Sequence, residues 1–389
     1  MRLRLERRLE QRWWHAVAAP VGAVVAALAV GAVFLAIEGF SPLTVYRELF
    51  KASFTSAFGI TDSLAIATPL VVTGLAAAVA FRMNLFNIGA EGQLYAGAIG
   101  GAWAGLALGP HLPAPLAVAA VLAASAVGGL VWALPMAVFK AWFGTSEIIT
   151  SLMLTFVAQY LMRYLIFGSR SYWRDPESTN FPQGRKIAEA AELPQFGTYR
   201  IGWGLVVVVA VAVAVWALIR FTSVGFDMNV VGTSPEAARY AGISTVRVVL
   251  MGLLLSGALG GLAGGIEVAG RAHALDPNGL ELGLGFTGIV VAALARYNPF
   301  AILLVATFLG GLRNAGVALQ TLPGARVPVE VSLMLQGAIL LFAIGAEIFV
   351  RHWLRLVRSG LGPAAGAGLS TAADPGEPVG PAGRAEVTA

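Results

Sequence analysis

The chain has 389 residues, 57% of them hydrophobic and 12% charged, with a formal net charge of +5 and no cysteine; its mean hydropathy is +0.76. So little polar surface cannot clothe a water-soluble globule of this size, and composition predicts an all-α, polytopic membrane protein. The lack of cysteine excludes a disulfide framework and any thiolate metal site.

The opening MRLRLERRLEQRWWH is basic and reads as a cytoplasmic segment over residues 1–15. The apolar run behind it, 16–37, is about 22 residues long, too long for a signal-peptide core, and has no convincing cleavage site. It reads as a retained first span. A bilayer crossing needs roughly 20 apolar residues, and on that measure further spans lie at 62–81, 88–108, 114–139, 146–167, 201–219, 248–269, 283–295, 300–319 and 329–350. The expectation is therefore about ten transmembrane segments within a membrane domain over 16–350, one or two of them short or re-entrant. With the N-terminus inside, an even number of crossings places Arg82, Lys140, Arg220, Arg239, Arg247, Arg296, Arg351, Arg355 and Arg358 on the inner side, in accord with the positive-inside rule.

Taken along the chain, Pro69 and Pro135 fall inside spans, where each leaves a carbonyl without its helical donor. The third span opens on polar residues. Asn84, Asn87 and Glu91 share one helical face at i, i+3 and i+7, with Gln93 off it. A carboxylate at membrane depth must be paired or wetted, so these four are candidates for a translocation path; the alternative is an interfacial cap. Gly97, Gly101 and Gly105, like Gly257, Gly261 and Gly265, recur every fourth residue and allow close helix approach. In the sequence GTSEIITS, over 144–151, Thr145 and Ser146 can cap a helix and Glu147 is favoured at its positive end. The connection 168–200 mixes both charge signs and reads as an extracytoplasmic loop, either a docking surface or a solvated connector.

Residues 221–247 form a polar interruption on the inner side. Within it, GTSPEAARYAG (232–242) carries the signals of a short helix: Pro235 suits a first turn, Ala237 and Ala238 permit close docking, and Gly242 suits a terminating turn. Segment eight has only about 13 apolar residues before Arg296. It either recruits 278–282, bringing Glu281 toward the membrane, or forms a re-entrant hairpin with the next segment; irregular backbone at membrane depth must face protein or water. Glu267, Arg271, Glu281, Asn314, Gln320, Glu330 and Gln336 are further polar candidates, none preferred. From 359 to 389 the composition collapses to Gly, Ala, Pro and Thr, which predicts disorder.

No G-x-x-x-x-G-K-[ST] loop or dinucleotide fingerprint is present, and no nucleophilic or acid–base constellation stands out. The four histidines are scattered at span ends, without metal-ligand spacing. No catalytic residue, cofactor or metal is expected, and nothing points to a nucleic-acid partner.

Six stretches in order, FRMNLFNIGAEGQ (81–93), GTSEIITSLML (144–154), GTSPEAARYAGIS (232–244), LSGALGGLAGG (255–265), GFTGIVVAALARYNP (285–299) and VSLMLQGAIL (331–340), resemble the permease family of ATP-binding cassette importers. That family includes ribose, branched-chain amino acid and nucleoside systems, and the chain is most similar to the longer permease of bacterial nucleoside importers. The resemblance implies that Pro235, Glu236, Ala237, Ala238, Arg239 and Gly242 present a coupling helix to a separate ATPase, a double-length chain. It also implies a second, homologous permease, an extracytoplasmic binding protein or lipoprotein, and a bacterial inner-membrane location amid lipid. Nucleosides would be the cargo, with simple sugars such as ribose the alternative. The chain departs from the family at Ser234, where Asn is common, and at Ala295-Arg296-Tyr297, where Gly often precedes Asn-Pro. The rival from another class is an ion-coupled secondary transporter using Glu91 or Glu267 as its proton-carrying carboxylate.

Overall fold

A computed structural model describes residues 2–7, 15–178, 180–199, 201–319 and 330–357. The tail 359–389, Gln320 and the side chain of Gln336 lie outside the described residues.

The chain opens with α1 (His15–Ile37) and α2 (Pro42–Phe54), bent by 120° to each other. The Tyr46 hydroxyl donates back to the Leu28 carbonyl at 2.7 Å and fixes the bend. Then follow α3 (Ala57–Arg82), α4 (Ala90–Ala107), α5 (Ala114–Phe143), α6 (Glu147–Arg163) and α7 (Trp203–Phe221). The polar interruption over 221–247 is mostly helical, comprising α8 (Ser223–Thr233) and α9 (Pro235–Tyr240). The remaining helices are α10 (Thr245–Glu267), α11 (Pro277–Leu280), α12 (Leu284–Leu294), α13 (Pro299–Leu319) and α14 (Glu330–Arg351). The described residues are overwhelmingly helical, as expected; beside the helices a two-stranded antiparallel ribbon pairs β1 (Arg2–Arg7) with β2 (His352–Val357). The ribbon brings residues 2–7 against the segment that follows α14.

Seven stretches among the described residues are long and apolar enough to cross a membrane, or eight if the bent α1–α2 pair is one span. The count of about ten is thus reached only in part. α4 falls short because it opens on Ala-Glu-Gly-Gln and carries five glycines. Segment eight passes only when α11, the break at 281–283 and α12 are taken together as Pro277–Leu294.

Helix directions follow from contacts. Asn314 reaches the Gly59 carbonyl and the Ser63 hydroxyl, while Gly74 lies against Ile302, so α13 runs antiparallel to α3. α4 and α10 run parallel: a Cβ on Gly97 would meet Gly261 at 2.2 Å, and one on Gly101 would approach Gly265 at 3.5 Å. α5 crosses both antiparallel, its Gly129 pressed on Gly257 and Gly261. The two glycine stripes therefore face each other, with Gly129 as a third member the sequence pattern did not mark. Because lipid offers no hydrophobic drive between helices, such backbone-level packing is what holds the bundle.

α3 buries 78% of its apolar window and α7 only 17%, so α3 is the central helix and α7 a peripheral one. Pro69 sits inside α3, and the Ala65 carbonyl it orphans accepts the Thr68 hydroxyl at 2.7 Å. One end of the bundle gathers Arg82, Lys140, Arg220, Arg239 and Arg296 around its clefts. The other carries the 168–202 connection. That connection is folded down: Trp173 donates to the Ile99 carbonyl at 3.0 Å, and Ile187 and Leu193 amides donate to the carbonyls of His273 and Ala269 at 2.9 and 2.8 Å.

Candidate functional site

At the basic end, α9 stands between α8 and α10 as the sequence pattern anticipates. Pro235 occupies its first turn, and the Ser234 hydroxyl caps it by accepting the Ala237 amide at 3.2 Å. Ser234 thus does the capping that Asn would do. The far end closes as a Schellman motif, with the Gly242 amide donating to the Arg239 carbonyl at 3.0 Å and the Ile243 amide to the Ala238 carbonyl at 2.9 Å. Gly242 is left-handed, at φ 75°. Only Ala238 is buried; Glu236, Ala237, Arg239 and Tyr240 project outward. Tyr240 is 94% exposed, an aromatic held in open solvent on a short, fully capped helix. Its signal in the sequence was its place one residue after Arg239 on the exposed face, opposite the buried Ala238.

α8 seats this helix on the bundle. A Cβ on Gly232 would fall 2.0 Å from the Arg82 carbonyl oxygen, so the last turn of α8 touches the end of central α3 backbone to backbone.

The second site lies deeper, where α3 turns into α4. Asn84 is exposed at φ 58°, in the left-handed region that Asn tolerates. It closes α3: its own amide donates to the Phe81 carbonyl at 3.0 Å and that of Leu85 to Ala80 at 3.3 Å. Asn87 and Gln93 are buried and face each other, their amides exchanging bonds of 2.9 and 3.2 Å. Asn87 also donates to Ser256 on α10 at 2.8 Å, and Ser256 to the Ala76 carbonyl at 2.7 Å. The segment 84–89 is thereby tied to α3 and α10 at once.

Glu91, in the first turn of α4, is fully enclosed. Its carboxylate accepts the Gly285 amide at the start of α12 and the Tyr95 hydroxyl at 2.6 Å, and the amides of Gly283 and Phe286 also face it. Two helix N-termini, each with positive dipole ends, converge on one carboxylate. A buried charge is costly unless paired and hydrogen-bonded, and here its partners are backbone amides released by the break at 281–283. The approach requires glycine, because a Cβ on Gly285 would lie 2.5 Å from the Glu91 Cα. Of the four polar residues read from the sequence, three converge at this junction; Asn84 stands apart on the surface.

Several polar residues with a role escaped the sequence reading or were left unranked. Glu281, in the break before α12, is paired with Arg163, whose Nε lies 2.6 Å from Oε1, and with Gln159 at 3.1 Å. Glu147 does more than favour a helix end: it accepts the Phe86 amide at 3.2 Å and pairs with Lys140 at 2.8 Å, while Ser146 makes no side-chain cap. Glu267 pairs with Arg271 one turn on. Arg313 continues the buried stripe Ile302, Ala306, Leu309 on α13, and its Nη1 has no hydrogen-bond partner. Its visible signal was that spacing, an arginine in step with an apolar face.

The family model described as the branched-chain amino acid transport system permease component matches residues 59–344. The chain is similar to a glucose ABC transporter permease protein of Haloferax volcanii, with 37% identity over 90% of this chain and 93% of that one. It is also similar to a guanosine ABC transporter permease protein of Bacillus subtilis, at 33% over 83% and 91%, and to a nucleoside ABC transporter permease protein of Lactococcus lactis, at 29% over 84% and 90%.

Proposed function

This chain belongs to the family of branched-chain amino acid transport system permease components, and on that footing we propose that it is the membrane half of a nucleoside importer. It is a multi-pass permease subunit of an ABC transporter, and it is no enzyme itself. ATP hydrolysis belongs to a partner chain.

The observation that carries the reading is α9, a short helix capped at both ends, exposed on all but Ala238, and seated through Gly232 on α3. In this proposal Pro235, Glu236, Ala237, Ala238, Arg239 and Gly242 form the coupling element of a region over 221–247, and a double-length ATPase engages it. The basic end is cytoplasmic, consistent with its arginines and lysine. The chain then crosses ten times: the eight stretches above, plus α4 and α14. Residues 1–15 lie inside, the membrane domain runs over 16–350, and 168–200 face outward, where a binding protein or lipoprotein delivers cargo. A second, homologous permease completes the pore in a bacterial inner membrane. Asn84, Asn87, Glu91 and Gln93 belong to the path in this proposal, and the bonding of the three buried ones suits a frame around it: Glu91 holds the half-length α12 against α4, the Asn87–Gln93 pair ties the turn to α10, and the break at 281–283 is where backbone faces a passage.

A simple sugar is the second reading, favoured by the 37% identity to a glucose permease protein. Both cargoes present a hydroxylated ring. The deciding experiment reconstitutes the chain with its ATPase and binding protein and follows ATP-dependent uptake of labelled guanosine and glucose. Saturable guanosine uptake unaffected by excess glucose supports the first reading, and the converse supports the second. Uptake by this chain alone under a proton gradient would overturn both.

A further inference from the structure

A groove at the basic end is lined by Arg82, Arg220 and Arg296, with Trp216, Ile219 and Phe300 forming its apolar wall. The three arginines come from three elements: the last residue of α3, the final turn of α7 and the turn after α12. No carboxylate lines the groove, and none of the three forms an ion pair among the described residues. Arg82 gives one Nη1 bond to Asn229 at 3.3 Å, while its buried Nε has no partner. Three cations held together without a counter-charge repel one another, and an anion is the species that would relieve this.

The wall says which anion. Trp216 lies one turn inside Arg220, about 6 Å deeper along α7, and its ring packs on Phe300 at 5.6 Å. Both rings are exposed, and α7 is the helix whose apolar window is least buried. A free phosphate has no use for such a wall; a lipid with a phosphate head and an acyl tail uses both parts. Aromatic residues at this depth mark the membrane interface, and basic pockets between spans on one side recognise anionic headgroups.

We propose that this groove is a binding site for one anionic phospholipid, its phosphate held by Arg82, Arg220 and Arg296 and its acyl chain lying on Trp216 and Phe300. The site needs only that the chain spans a membrane, and it stands whatever the cargo.

The test is native mass spectrometry of the full chain purified in mild detergent with equal phosphatidylglycerol and phosphatidylcholine. One phosphatidylglycerol per chain should be retained in preference to phosphatidylcholine. Each arginine near an anionic surface contributes about fivefold in affinity, so Arg220→Gln and Arg296→Gln, both at exposed positions, should each cut that preference about fivefold. Arg170→Gln, at the opposite end, should leave it unchanged. Melting temperatures confirm that the variants fold. Equal retention of the two lipids, no change in either variant, or displacement of the lipid by millimolar inorganic phosphate alone would each overturn the assignment.

Discussion

The amide of Gly285, in the first turn of α12, donates to the carboxylate of Glu91, in the first turn of α4. Residues 194 apart in the chain thus join two helix starts inside the bundle. The bond exists because α11 and α12 are separated by three non-helical residues, which free the amides that Glu91 collects.

Gly285→Ala should therefore destabilise the chain. Its Cβ would meet the Glu91 Cα at 2.5 Å, and overpacking of this kind costs about 1–3 kcal/mol. Glu91→Ala should cost at least as much, because it strands more than one buried donor, the Gly285 amide and the Tyr95 hydroxyl among them, at about 1–3 kcal/mol each. Glu91→Gln keeps an acceptor and should be milder than Glu91→Ala. The measurement is thermal unfolding in detergent; a Gly285→Ala protein melting with the wild type means that the two helix starts do not pack as described.

Asn87 and Gln93 satisfy each other, so their loss should be strongly non-additive. With Asn87→Ala made first, Gln93→Ala should add little, giving a coupling of about 0.5–3 kcal/mol in a double-mutant cycle. Additivity would show that each amide has an independent partner, and the reciprocal pair would then be discarded.

Asn84 separates a role in the turn from a role in the path. Asn84→Gly preserves the left-handed geometry and should keep both melting temperature and uptake. Asn84→Val should cost about 1–2 kcal/mol, the penalty for a branched side chain forced into that region. If Asn84→Gly folds normally yet loses uptake, the side chain touches cargo and its role is more than closing α3.

Much of this was legible in the sequence. The apolar runs gave the helix positions, and Pro235 with Gly242 gave the ends of α9, because local capping chemistry decides them. The facing glycine stripes were legible as faces, yet Gly129 was not, since its partners Gly257 and Gly261 lie on another helix. The helical-face argument for Asn84, Asn87 and Glu91 failed in detail for a physical reason. It assumed continuous helix, whereas 83–89 is a turn, and a 100° repeat has no meaning there. Gln93, judged off the face, is the residue that meets Asn87. The role of Arg163 was invisible because its partner, Glu281, is 118 residues away. Arg296 and Tyr297 take left-handed φ values of 49° and 61°, a turn geometry that their side chains do not announce in the sequence.

The last prediction concerns Tyr240. At 94% exposure it supports nothing in this chain, and surface changes of that kind usually shift stability within about 0.5 kcal/mol. Tyr240→Ala should therefore fold and melt as the wild type does. An exposed tyrosine on a rigid, capped helix is the residue type that dominates interfaces, where truncation costs 2 kcal/mol or more, roughly thirtyfold in Kd. ATPase binding should fall by about that factor in Tyr240→Ala, measured by co-purification or interferometry, and Glu236→Lys should weaken it as well. Gly242→Val acts differently: it strains the left-handed turn at φ 75° and should lower both stability and binding. Unchanged ATPase affinity in Tyr240→Ala and Glu236→Lys together, with Gly242→Val impaired only in stability, would mean that α9 is a structural turn and that the ATPase docks elsewhere on the basic end.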